Sequence, residues 1–244
     1  MKIRLVNVPV ADSIREAVKE ISEKLGKEII FEDSIEIGKE SIVNVNLIGE
    51  ALKIAKVHSE VSVTKDNGYF VRDIAGGVVN SEHNIIADNG MRIARDLIKY
   101  SEQDIERIVR GAIERSNAKK ILLVVKSNIL ITAKVFKRIC GEVAVDYGAQ
   151  VDFAEVEDFI LFYNEYLKKY SLIIADSFIG DILNGILLRL GEIKSCYYIG
   201  ESEAFYTSDS STQSTAVAIY ELLKESDSEL AEEFKPYLDK FCLK

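Results

Sequence analysis

Leu172-Ile173-Ile174-Ala175-Asp176-Ser177-Phe178-Ile179-Gly180-Asp181-Ile182-Leu183 joins a short apolar run to a more polar segment that ends in Gly180-Asp181-Ile182-Leu183. Its first four residues are a continuous apolar run, short and bounded by polar residues, which is the pattern of a strand covered on both faces. A helix is expected to begin near Asp181. Working back along the chain, a helix from Asp158 to about Lys168 follows an alternating strand around Gln150 to Val156, and a helix from Thr132 to Tyr147 follows a second buried run, Ile121 to Val125. Before these, Ser101 and Asp104 three residues later form a capping box for a helix to about Ser116, with Ile105, Ile108, Val109 and Ile113 at helical spacing. Strands alternating with helices predict an α/β sheet with helices on its faces.

The N-terminal part repeats the pattern on a smaller scale. Lys2 to Val6 reads as a strand, Ala11 to Leu25 as a helix through Ile14, Val18, Ile21 and Leu25, and Glu28 to Glu32 as a further strand. Tyr69 to Arg72 begins another extended segment, ended by the turn at Gly76-Gly77. Pro9 and Pro236 are the only prolines and no Gly/Ser-rich linker occurs, so any domain boundary is structural rather than compositional.

At 244 residues the chain is long enough to bury a core, as one large domain or two modest ones. Its 48% apolar content falls in short runs, none near the roughly 20 residues that cross a bilayer. With no basic, apolar and small-residue pattern of a signal peptide at the start, a cytoplasmic protein without membrane attachment is expected. Forty acidic residues against 31 basic ones give a net charge of −9 and no basic stripe, which argues against a nucleic-acid partner. Cys140, Cys196 and Cys242 are far apart and read as reduced thiols, and His58 and His83 lack the paired spacing of a zinc centre.

In such sheets ligands sit beyond the carboxyl ends of the strands. Lys126-Ser127-Asn128 leaves the strand 121–125 there, as a solvated lysine or as a cation at a site mouth. Asp181 either caps a helix or supplies an oxygen ligand for Mg²⁺ or Mn²⁺, with Glu157 or Asp158 as a second carboxylate. Tyr100 either staples onto Ile105 or, beside an ammonium that lowers its pKa, donates a proton. Arg72 suits a bidentate clamp on a substrate carboxylate.

Four segments resemble, in order, the β-decarboxylating hydroxyacid dehydrogenases, the family of isocitrate and isopropylmalate dehydrogenases. Val71-Arg72-Asp73-Ile74-Ala75-Gly76-Gly77 resembles V-R-E-x-x-x-G, Lys99-Tyr100-Ser101 resembles R-Y-S/T, and Val125-Lys126-Ser127-Asn128-Ile129-Leu130 resembles D-K-A-N-V-L. Tyr170 to Leu183 is similar to F-D-V-I-V-x-x-N-x-F-G-D-I-L. The resemblance implies a two-domain sheet fold like that of isopropylmalate dehydrogenase with a reduced nucleotide-binding domain. Residues 1–66 with 191–244 would form the reduced cofactor-type domain and 67–190 the dimerisation and catalytic-floor domain. It implies Arg72 as substrate ligand with Asn128 beside it, Tyr100 as general acid, Lys126 as base or relay, and Asp181 with Glu157 or Asp158 as metal ligands. It further implies Mg²⁺ or Mn²⁺, NAD or NADP, a small dicarboxylic or tricarboxylic acid, and a homodimer or a heteromer with a catalytic homologue.

The departures are specific. The family continues G-D-I-L-S-D, but Gly185 stands at the second aspartate. The G-D-G-I-G-P-E loop is replaced by Asn7 to Glu16, and the two further substrate arginines have no counterpart between Leu47 and Asn67. In place of the adenine loop H-G-S-A-P-D-I stands the hydroxyl-rich Phe205 to Thr215, read as a polar surface loop before a helix from Ala216 to Leu223. The functional expectation is metal-dependent oxidative decarboxylation of a malate-type 2-hydroxy acid. The alternatives are a non-catalytic regulatory or binding homologue, or a cofactor-free β-keto acid decarboxylase.

Overall fold

The computed structural model describes residues 1–6, 8–34, 41–44, 57–78, 81–200, 204–208 and 211–242. In chain order the first elements are β1 (Lys2–Val6), α1 (Asp12–Leu25), β2 (Ile30–Asp33), β3 (Ser41–Asn44), β4 (Val57–Thr64), β5 (Tyr69–Asp73), β6 (His83–Asp88) and β7 (Met91–Asp96). They are followed by α2 (Glu102–Ser116), β8 (Lys120–Val125), α3 (Ile131–Asp146), β9 (Gln150–Glu155), α4 (Val156–Lys169), β10 (Leu172–Ala175) and α5 (Ser177–Arg189). The last are β11 (Ile193–Gly200), β12 (Ala204–Ser208), α6 (Thr212–Ser226) and α7 (Ser228–Cys242). The chain divides into two units, residues 58–193 and residues 1–57 with 194–244.

In the unit of residues 58–193 the strands lie in the order β4-β5-β10-β8-β9. The two apolar runs that fix the fold are central neighbours, Leu172 opposite Ile121 in a parallel pair. β5 and β9 extend the parallel set on either side, and β4 closes it antiparallel to β5. Leu122, Val124 and Ile173 pack with Phe159 of α4 and Leu183 of α5 on one face. The alternate residues, Ile121, Leu123 and Ile174, are equally buried, as are Ile105 and Ile108 of α2 and Phe136 of α3. Burial on both faces explains why β8 and β10 carry no polar alternation.

Ser101 caps α2 as expected, its Oγ accepting from the Asp104 amide at 3.1 Å. The helix expected to begin near Asp181 begins four residues earlier, because Asp176 is its cap: Oδ1 accepts from the Ile179 amide at 2.8 Å. Asp181 therefore lies in the second turn of α5 and caps nothing. The sequence reading also passed over β4 and the β6–β7 hairpin. The hairpin turns through Asn89-Gly90 with φ of 48° and 79°, the Asn-Gly pattern of a two-residue turn.

In the unit of residues 1–57 with 194–244 the strand order is β2-β1-β3-β12-β11, parallel except for the β11–β12 pair. The amphipathic face of α1 buries Ile14, Val18 and Ile21. Lys24 pairs with Glu233, and Lys27 reaches Asp227 and Glu229 at 2.8 and 2.6 Å, tying the C-terminal end of α1 and the residues just after it to the first half of α7. The segment read as a polar loop before Ala216 is partly a strand: β12 pairs with β3, and α6 starts at Thr212, where Ser211 Oγ accepts from the Ser214 amide. Asn7, Cys242's side chain and Asp209-Ser210 lie outside the described residues.

Candidate functional site

β5, β8, β9 and β10 end at Asp73, Val125, Glu155 and Ala175, and the segments at these carboxyl ends carry the side chains singled out from the sequence apart from Tyr100, which lies between β7 and α2. Arg72 sits opposite Ala175 in the β5–β10 register. On β4 the residue facing it is Glu60. Arg72 Nε donates to Glu60 Oε2 at 2.5 Å, with the two side chains 15% and 4% exposed. Asn184 Nδ2 of α5 donates to the other Glu60 oxygen at 3.1 Å, and Asn184 Oδ1 accepts from Ser62 Oγ at 2.7 Å. Arg72 Nη1 is 2.9 Å from Asp181 Oδ1, whose side chain is 67% exposed. Gly180 permits this approach of α5, since a Cβ there would lie 2.5 Å from Arg72 Cβ. Two edges of the guanidinium expected to clamp a ligand are thus engaged by the chain's own carboxylates.

Tyr100 Oη accepts from the Ser177 amide at 2.8 Å and hydrogen-bonds the Asp73 carboxylate. Its ring meets Phe136 edge-on, with centroids 5.7 Å apart. Gly77, at φ 66°, lets the loop pass this hydroxyl; a Cβ there would be 2.5 Å from Oη. Burial raises the Tyr100 pKa well above the ordinary phenol value, and the negative Asp73 and Asp176 push it further. This is the reverse of the lowering expected from a neighbouring ammonium, because the charged groups around the hydroxyl are carboxylates. Asp73, fully buried, is itself pushed up by desolvation, which the Ala75 and Gly76 amides at 3.0 and 2.7 Å and the Tyr100 hydroxyl oppose.

Lys126 follows β8 and pairs with Glu157 in the first turn of α4; their side chains are 17% and 57% exposed. Ser127 Oγ donates to Glu155, whose second oxygen is buried without a partner among the described residues. Of the two acidic candidates on α4, Glu157 is therefore the one at Lys126, while Asp158 and Asn128 are exposed. The side chains fall into three groups: Arg72 with Glu60 and Asp181, Tyr100 with Asp73 and the Ser177 amide, and Lys126 with Glu157. Among the described residues no hydrogen bond or ion pair joins these groups. Glu60, Ser62 and Asn184 were missed from sequence, although an acidic residue inside the β-branched Val57-His58-Ser59-Glu60-Val61-Ser62-Val63-Thr64 was a legible signal that a buried charge needed a partner.

The divalent cation that the sequence pattern implied does not fit the described residues of one chain. No cluster of three or more potential metal-ligating side chains occurs among them. Asp181 is held by Arg72, Glu157 by Lys126, and Gly185 offers no donor one turn beyond Asp181. The region where a nucleotide would be expected is no better suited: residues 204–215 contain no glycine, and Ser211 already occupies an amide of the first turn of α6. No helix among the described residues is long and apolar enough to cross a membrane.

The 3-isopropylmalate dehydrogenase of Bacillus caldotenax is 29% identical over 116 residues, 47% of this chain and 32% of its own length. That of Dehalococcoides mccartyi is 39% identical over 82 residues, 32% of this chain and 22% of its own length. The matched parts thus span well under half of these relatives. A crystal structure of isocitrate dehydrogenase from Methylococcus capsulatus superposes with a TM-score of 0.61 over 96% of this chain and 87% of that one, at 17% identity, which is agreement of fold. The isocitrate/isopropylmalate dehydrogenase family model matches residues 40–187, the span holding Glu60, Arg72, Tyr100, Lys126 and Asp181. With more than half of its length in that match, the chain belongs to the isocitrate/isopropylmalate dehydrogenase family.

Proposed function

We propose that this chain is a binding homologue of these dehydrogenases, one that takes a small carboxylic acid at Arg72 and pairs with a second copy of itself, without metal-assisted oxidation. The observation that carries the reading is the Arg72–Glu60–Asp181 arrangement, in which the ligand-binding cation and the metal-binding carboxylate satisfy each other. Asp181 is exposed and rotates into water at little cost, so an incoming carboxylate replaces it on the guanidinium. Pairing is supported by the apolar side chains left uncovered on α4 and α5, among them Ile160, Leu161, Ile182, Ile186 and Leu188 at 36–72% exposure. The β6–β7 hairpin, a two-stranded sheet with almost every residue exposed, likewise needs strands from elsewhere.

Calorimetric titration with malate and with lactate in EDTA tests the reading. Saturable binding of an acid without metal is expected, together with no growth of reduced-nicotinamide absorbance when Mg²⁺ and NAD⁺ or NADP⁺ are added. Turnover of the nicotinamide would sink it. A second reading, NAD(P)-dependent oxidative decarboxylation of a malate-type acid, is favoured by one observation: Arg72, Lys126 and Asp181 stand at or after the carboxyl ends of β5, β8 and β10, and Tyr100, bonded to the Ser177 amide after β10, keeps its proton. On that reading Tyr100 is the proton donor and Lys126 its relay, and the ion pairs open when substrate binds.

A further inference from the structure

Asn-Gly occurs three times in the chain, at Asn67-Gly68, Asn89-Gly90 and Asn184-Gly185. Glycine leaves the following amide nitrogen open to the asparagine side chain, so in a flexible peptide each pair is prone to lose ammonia. The fold separates them. Asn184 is 5% exposed, its Nδ2 donates to Glu60 at 3.1 Å, its Oδ1 accepts from Ser62 Oγ at 2.7 Å, and Gly185 lies inside α5. Gly68 is buried, and its amide donates to Thr64 Oγ1 at 2.9 Å. A Cβ there would meet Thr64 Oγ1 and the Tyr170 carbonyl at 3.2 and 3.3 Å, so the turn at Asn67 is packed against β10's approach. Asn89 and Gly90 are both exposed, and among the described residues neither the Asn89 side chain nor the Gly90 amide has a hydrogen-bond partner.

We infer that Asn89 is a site of spontaneous deamidation, where the folded chain converts an amide to an acid while Asn67 and Asn184 stay intact. Base removes the Gly90 amide proton, and the nitrogen attacks Asn89 Cγ. The new N–Cγ bond closes a succinimide ring as the Cγ–Nδ2 bond breaks and the side-chain nitrogen leaves, protonated, as ammonia. Water then opens the ring, at Cγ to give aspartate or at the main-chain carbonyl to give isoaspartate. One water is consumed, one ammonia is released, and nothing is oxidised or reduced. The attack needs Asn89 to rotate out of its turn conformation, at φ 48°. The β6–β7 hairpin resists this weakly, because it is a two-stranded sheet of its own with almost every residue exposed. Exposed loop tips open at the low end of the range of local stabilities, whereas helix interiors and buried turns open near the top of it. A strand added beside β6 or β7 would still leave the turn in water. Either product sets a carboxylate next to Asp88, and isoaspartate also lengthens the backbone within the turn, which disturbs the Asp88–Met91 pairing.

The test is incubation of the full chain in warm, mildly alkaline buffer, folded and in concentrated urea, with peptide mapping by mass spectrometry at intervals. In the folded chain Asn89 is expected to convert at least about tenfold faster than Asn67 or Asn184. In urea the three are expected to convert at comparable rates, which ties the selectivity to the fold rather than to the flanking sequence. Isoelectric focusing gives an independent readout: the folded wild type is expected to accumulate a more acidic band that Asn89→Gln lacks. Conversion of Asn67 or Asn184 as fast as Asn89 in the folded chain overturns the inference. So does a folded chain in which none of the three converts while all convert in urea, or an acidic band that persists unchanged in Asn89→Gln.

Discussion

At the scale of single residues, burial decides which ion pairs matter. Arg72 and Glu60 are both largely removed from water, so Arg72→Ala would take the guanidinium away from a buried carboxylate and is expected to cost about 3–5 kcal/mol of stability. The Lys126–Glu157 pair has one partner more than half exposed, and Lys126→Ala is expected to cost about 0–1 kcal/mol. Urea denaturation of the two variants checks this; comparable losses would mean that Glu60 is not the buried partner described. Tyr100 follows the same logic. Its folded pKa lies above its unfolded value of about 10, so the unfolded state loses the proton first. The stabilisation from the neutral hydroxyl is present below pH of about 10 and falls as pH rises beyond it. The identities of Arg72, Tyr100, Lys126 and Asp181 were legible in the sequence because each sits in a motif of fixed spacing. Their pairings were not, because Glu60 and Arg72 meet only through the β4–β5 register, and that depends on where an antiparallel turn falls.

At the scale of elements, β8 and β10 announced themselves because strands buried on both faces need unbroken apolar runs. β4 did not: its alternation places His58, Glu60, Ser62 and Thr64 on one side and all are buried, so polarity no longer reports exposure. The start of α5 was misplaced for a related reason. Asp176 and Asp181 are both plausible caps by residue type, and only the amide of Ile179 distinguishes them. α5 also has one occupied face and one left uncovered. The first carries Asp181 and Asn184 to Arg72 and Glu60, while Ile182 and Ile186, with Leu190 just past the helix end, remain 36–48% exposed. Ile186 lines an apolar groove with Ile160, Tyr163 and Leu190. If a second copy covers this face, Ile186→Asp converts a dimer to a folded monomer in light scattering, with unchanged circular dichroism. A wild-type monomer at micromolar concentration would count against the pairing.

At the scale of the whole molecule, the family match covers residues 40–187, and that span retains motif residues in order while losing the second metal aspartate. The motif's two cations, Arg72 and Lys126, are paired with the chain's own carboxylates. On the proposed reading, retained ancestry together with that pairing separates an acid-binding homologue from a metal-dependent dehydrogenase. That difference is open to direct reading with Mn²⁺, whose free aqueous form gives an electron paramagnetic resonance signal that is lost on binding. Titrating the purified full chain into Mn²⁺, with and without malate, is predicted to leave the free-ion signal undiminished beyond nonspecific, salt-sensitive losses. Saturable loss of the signal at one ion per chain, abolished by Asp181→Asn, would contradict the account, since Asp181 would then be a metal ligand rather than the partner of Arg72.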